Sequence, residues 1–80
     1  MTVLVLDGDL LRAALARAGD EDVVVLDPAA RRLEELEREV RDPRVWYLIG
    51  EPAVLPLPDR SVDEAVGDGT PAELARVLRR

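Results

Sequence analysis

Eighty residues make one small domain, in a size range where a single core supplies roughly 3–5 kcal/mol and burial against a partner is a common supplement. Seventeen acidic residues against 11 basic ones give a net charge of −6, which argues against a nucleic-acid backbone or an anionic membrane surface as partner. The chain has neither cysteine nor histidine, so disulfides, thiolate nucleophiles, zinc-thiolate sites and the commonest general base are excluded. Met1 runs straight into a strand-like segment, with no signal-peptide pattern and no long membrane-spanning stretch, and a soluble, cytoplasmic protein is expected. All 11 basic residues are arginine; a thermophilic origin and an arginine-biased genome fit that bias equally well.

Thr2 to Leu6 is a continuous β-branched apolar run and reads as a buried parallel strand, closed by the turn Asp7-Gly8-Asp9. Leu10, Leu11, Ala14, Leu15 and Ala18 recur at helical spacing, with Asp9 as the expected cap and Gly19 as the stop. Val23 to Leu26 is a second buried strand, and Asp27-Pro28 predicts an N-cap with proline at the first helical position. Ala29, Leu33, Leu36 and Val40 form one apolar stripe, while Glu34 with Arg38 and Glu37 with Arg41 stand one turn apart on the wet side. Asp42-Pro43 ends that helix, and Arg44 to Ile49 is a third strand with Trp46 and Tyr47 on opposite faces. Pro52, Pro56 and Pro58 keep the next segment extended, Ser61 to Val66 is a fourth strand, and Thr70-Pro71-Ala72-Glu73 is a capping box opening a last helix.

The order βαβαββα defines an α/β protein with a mainly parallel open sheet. Right-handed crossovers place the first two helices on one face, and the strand order expected of such a doubly wound sheet is 3-2-1-4. The other face has only the final helix, so one face of the three-layer arrangement is only partly covered. An open apolar face is normally an interface, and a homodimer or a complex with a protein partner is expected to bury it.

From Val45 to Val66 the chain reads VWYLIGEPAVLPLPDRSVDEAV. A buried strand, then Gly50, Glu51, Leu55-Pro56, Asp59, Ser61, Val62 and Asp63, come in the order found in class I S-adenosylmethionine-dependent methyltransferases. The chain resembles that family from Val3 to Leu78, with specific agreement confined to residues 44–66 and to Asp27. The resemblance implies a Rossmann-like fold and S-adenosylmethionine as cofactor. It puts Asp7 and Gly8 at the turn beside the methionine part, Asp27 on the ribose hydroxyls and Glu51 on the adenine amino group. Local physics gives Asp27 a second reading, as the cap of the helix that follows it.

The chain departs from the family at several points. The first turn keeps one glycine and sets carboxylates where the cofactor's own carboxylate would pass. Pro52 has no N–H to give the adenine ring, and a buried ring nitrogen left unpartnered costs on the order of 1–3 kcal/mol. Gly67-Asp68-Gly69-Thr70 stands in place of the usual substrate-facing stretch, with Asp68 its one acid. Two other resemblances are weaker. VLVLDGDLL is similar to the Asp-x-Asp opening of haloacid-dehalogenase-like phosphatases, and the same run with VVVLDP is similar to response-regulator receivers, but both mechanisms want a lysine and this chain has none.

The expectation is therefore a single truncated methyltransferase-like domain over residues 1–80. It is degenerate and non-catalytic and acts through self-association or partner binding. The alternatives are a compact S-adenosylmethionine-dependent enzyme completed by a dimer mate, and a fragment of a longer enzyme.

Overall fold

The computed structural model describes residues 1–79. Strand β1 covers Thr2–Val5 and leads through one 3-10 turn, Gly8–Leu10, into helix α1, Leu11–Arg17. β2 (Asp22–Asp27), α2 (Ala30–Val40), β3 (Val45–Ile49), β4 (Glu64–Val66) and α3 (Pro71–Val77) follow. Every strand pair is parallel and the order is β3-β2-β1-β4, as expected of the doubly wound arrangement.

The uninterrupted apolar runs of β1 and β2 are explained by burial on both faces. On one face Val3, Val5, Val23, Val25 and Val45 pack under Leu11 and Ala14 of α1 and Leu33 and Leu36 of α2. On the other, Leu4, Leu6 and Leu26 pack against Leu55, Val62 and Val77. Burial of one such leucine or valine contributes about 1.5–3 kcal/mol. The second face is thus covered by α3 together with the proline-rich segment between β3 and β4, more cover than the last helix alone would give. It stays open over β3 and the adjoining part of β2, where Leu48 and Val24 are half-buried and Trp46 is 61% exposed.

Some local expectations give way to stronger competitors. Asp7, not Asp9, caps the first turn: its Oδ1 accepts the Asp9 N–H at 2.9 Å. The second helix starts at Ala30 rather than Pro28, because the Asp27 carboxylate already holds the Ala29 N–H. Neither Glu34–Arg38 nor Glu37–Arg41 is among the ion pairs of the described residues. Arg41 closes α2 in the left-handed region (φ 47°) and turns its guanidinium to the Arg38 carbonyl. β4 proper is Glu64–Val66, while Val62 pairs instead with Leu78 beyond α3. That bridge covers part of what a full-length fourth strand would leave as an edge. The capping box does not form, since Thr70 makes no side-chain cap and Glu73 is drawn elsewhere.

Two arginines pin the loops. Arg44 forks onto Asp42 (Nη2–Oδ2 2.7 Å) and donates to the Ala18 and Gly19 carbonyls at the end of α1, where the helix dipole favours a cation. Its hydrogen bonds hold the Asp42 carboxyl at about 2, below the ordinary value of 3.8. Arg76 donates to the carbonyls of Leu55 and Leu57, to Asp59 and to Glu73, and Glu73 accepts the Leu55 N–H at 2.8 Å. A segment broken by prolines has no strand ladder to satisfy its carbonyls, and a five-donor guanidinium supplies one. The Leu-Pro…Asp-x-Ser passage is therefore a clamped structural segment, with Ser61 Oγ donating to the Pro58 carbonyl at 2.7 Å.

Candidate functional site

In open parallel sheets, ligands bind outside the carboxyl ends of the strands. Register fixes what lies there. Val5 pairs with Val25 and Asp27 with Ile49, so Asp7 and Asp27, each two residues further on, come out level, and Glu51 follows just beyond β3. The structure thus brings Asp7, Gly8, Asp27 and Glu51 to one end of the sheet.

Each has a local duty. Asp7 holds its own turn through the Asp9 amide. Gly8 is buried, and a Cβ built on it would come within 2.7 Å of Leu36 Cδ1 and 3.3 Å of Arg32 Nε. Glycine is needed there because the turn presses against α2. Asp27 Oδ1 accepts the Ala29 N–H at 2.8 Å, and its main-chain carbonyl accepts the Gly50 N–H at 3.2 Å. The Oδ1 bond closes the turn before α2 and is not the expected helix cap, because the N-cap is Ala29. Oδ2 has no hydrogen bond among the described residues and is free to accept a hydroxyl, so holding the turn and contacting a ligand are compatible. Glu51 is exposed, and its carbonyl accepts the Val54 N–H at 3.2 Å across Pro52 and Ala53. Proline suits the second position of such a turn, where φ near −65° is wanted. The same ring removes the N–H beside the acid.

The sequence reading missed Arg32. It reaches from the first turn of α2 to Asp9, with Nη2 2.6 Å from Oδ1, and ties the β1–α1 turn to α2. It offsets one of the carboxylates Asp7, Asp9, Asp27 and Glu51 at this end, which remains acidic overall. The sequence signal was weak: an arginine on the exposed side of a helix looks like any other solvated charge. Asp68 is exposed in the loop after β4, where Gly67 has φ 105° and lies 3.2 Å from Leu6 Cβ at its missing side chain. Among the described residues no group of three or more acids, histidines or cysteines is placed to hold a metal, and no helix is long and apolar enough to cross a membrane. A groove of about 560 Å³ lies elsewhere, between the end of α2 and the start of β3, lined by Pro43, Val45 and Tyr47 with Glu37, Arg38 and Arg41. Beside it the Tyr47 hydroxyl is buried without a partner among the described residues, and burial, then the charges of Glu37 and Asp42, raise its pKa.

The strand order and the parallel pairing define a Rossmann-like α/β fold. The chain is similar to the crystal structure of a SAM dependent methyltransferase from Aquifex aeolicus, with a TM-score of 0.73 and 22% sequence identity over 99% of this chain and 51% of that one. The likeness establishes the fold, and the chain spans about half the length of that enzyme. No family model matches the chain, and no curated protein matches it.

Proposed function

We propose that this is a degenerate methyltransferase-like domain of the cytoplasm that works by association, with itself or with a protein partner, and does not transfer methyl groups on its own. The observation that carries the reading is the turn at Glu51-Pro52: the acid suited to an adenine amino group is present and exposed, while the adjacent donor is a proline closed into the Glu51–Val54 turn. Methyl transfer depends on holding donor and acceptor in line inside a dry enclosure. Past β4 the described chain turns through the exposed Gly67 and Asp68 into α3, which packs back against Leu6 and Leu26 rather than over the strand ends. Gly8 and Arg32 serve packing at the place where a cofactor would need close backbone approach. The open sheet over β3, where Trp46 is about three-fifths exposed, and Ile49, equally exposed on the helix-side face of the same strand, support association.

One observation favours a second reading, a compact S-adenosylmethionine-dependent enzyme whose site a dimer mate completes. Asp27 keeps Oδ2 free, level with Asp7 and beside the strand that ends in Glu51. Calorimetry with S-adenosylmethionine and S-adenosylhomocysteine separates the two. Absence of saturable heat supports the first. Binding with Kd below about 100 μM, close to −5.5 kcal/mol, and lost in Asp27→Ala, overturns the first and favours the second.

A further inference from the structure

The free edge of β3 offers a more specific surface than the open face as a whole. Val23 N–H donates to the Arg44 carbonyl at 2.9 Å and Gly50 N–H to the Asp27 carbonyl at 3.2 Å. Both main-chain groups of a strand residue point to the same side, and successive residues alternate. Arg44, Trp46, Leu48 and Gly50 therefore serve β2. Tyr47 and Ile49 direct both their N–H and their C=O to the free edge, and so does the Val45 carbonyl, whose own N–H is held by the Asp42 carbonyl at 3.1 Å. Within Val45–Ile49 there is no charge and no proline. The edge lacks the devices that normally prevent strand pairing.

We propose that a second copy of this chain occupies this edge, its β3 paired antiparallel about a two-fold axis at Tyr47, to make one continuous sheet of two domains. The proposal rests on the association reading above and gives it an occupant and a register. In this register each Tyr47 exchanges N–H···O=C bonds with the other, and each Ile49 N–H donates to the opposite Val45 carbonyl. Every free edge group of Tyr47 and Val45, and the N–H of Ile49, is then satisfied. The side chains agree. Val45 and Tyr47 belong to the helix-side core, so Ile49 projects to the same face, and at 60% exposure it is the apolar group left uncovered there. Pairing sets it against Val45 of the other copy, at the groove lined by Pro43, Val45 and Tyr47. On the opposite face Trp46, 61% exposed, comes to lie against the half-buried Leu48 of the other copy.

Charge selects the direction. Arg38 and Arg41 stand with Glu37 at the end of α2, beside the start of β3, where Asp42 is tied to Arg44, so two arginines face one free acid. Glu51 stands just past the end of β3, and neither it nor Arg38, Arg41 or Glu37 takes part in an ion pair among the described residues. Antiparallel pairing places Glu51 opposite Pro43, next to the arginines of the other copy, and does so at both ends. A parallel arrangement would set like charges together.

The test combines sedimentation of the full chain with amide hydrogen exchange at low and high protein concentration. The expected result is a dimer at micromolar concentration in which the Tyr47 and Ile49 amides become protected as concentration rises. Ile49→Lys should give a monomer with unchanged far-UV circular dichroism. Glu51→Arg, remote from the core, should weaken the dimer severalfold and covers the case in which the first variant folds poorly. A dimer whose Tyr47 and Ile49 amides exchange freely overturns the edge pairing and leaves association standing. A monomer at every concentration overturns the edge pairing and the self-association reading together.

Discussion

Gly8 separates a packing role from a ligand role, and its substitution by alanine gives a defined energetic answer. Its φ lies outside the left-handed region, so the added methyl brings no backbone strain, only a collision. The new Cβ would sit 2.7 Å from Leu36 Cδ1, about 1 Å inside ordinary carbon contact, with Arg32 Nε at 3.3 Å. Leu36 is 3% exposed and packed in the helix-side core, so its terminal methyl has little room to retreat. Overpacking of this kind costs typically 1–3 kcal/mol, and since the clash is with the end of a side chain we expect about 1–2 kcal/mol. For a domain of this size that lowers Tm by roughly 4–8 °C per kcal/mol. Urea unfolding with unchanged m-value measures it. Leu36→Ala alone should cost about 2–5 kcal/mol, and combined with Gly8→Ala should cost clearly less than the sum, because the cavity accepts the methyl. A neutral Gly8→Ala, or strict additivity with Leu36→Ala, would refute the close approach of the turn to α2 and return Gly8 to the cofactor.

Other outcomes follow from the same contacts. Leu26→Ala removes a fully buried side chain that contacts both the sheet core and Gly50, and should cost about 2–5 kcal/mol by urea denaturation. Glu73→Gln or Arg76→Met should release the 55–59 segment, seen as an order-of-magnitude faster exchange of the Leu55 amide with the exchange of β1 and β2 amides little changed. Asp42, held at about 2 against an ordinary 3.8, binds its proton less readily folded than unfolded. Its contribution is complete above about pH 4 and lost as pH falls toward 2. Asp42→Asn should flatten that part of the acid limb when urea midpoints are measured against pH, leaving the part due to Glu73, whose carboxyl is also lowered by Arg76 and the Leu55 amide.

Much of the fold was legible because hydrophobic periodicity and proline position are local signals. The double-sided burial of β1 and β2 shows directly in VLVL and VVVL, and Asp42-Pro43 marks the end of α2. Crossover handedness put α1 and α2 on one face, and the sheet order followed from that together with the doubly wound pattern. The details that were not legible are those decided by competition between distant groups. Thr70 and Glu73 satisfy a capping pattern locally, yet Glu73 is claimed by Leu55 and Arg76 across the loop. Glu34 and Arg38 have ideal spacing, but on an exposed face such a pair is worth a few tenths of a kcal/mol and does not hold its geometry. At the candidate site the acids were found from the resemblance and the strand ends. The reason for Gly8 and the Arg32–Asp9 tie needed the packing of α2 against the first turn.

The central claim is that the strand ends serve packing while association carries function. Amide chemical-shift mapping of the labelled chain, titrated with S-adenosylhomocysteine and then diluted, tests it most directly. The account predicts no saturating shifts at Gly8, Asp27, Gly50 or Glu51, and concentration-dependent shifts at Tyr47 and Ile49. Saturating shifts at the strand ends, with Tyr47 and Ile49 insensitive to dilution, would contradict it.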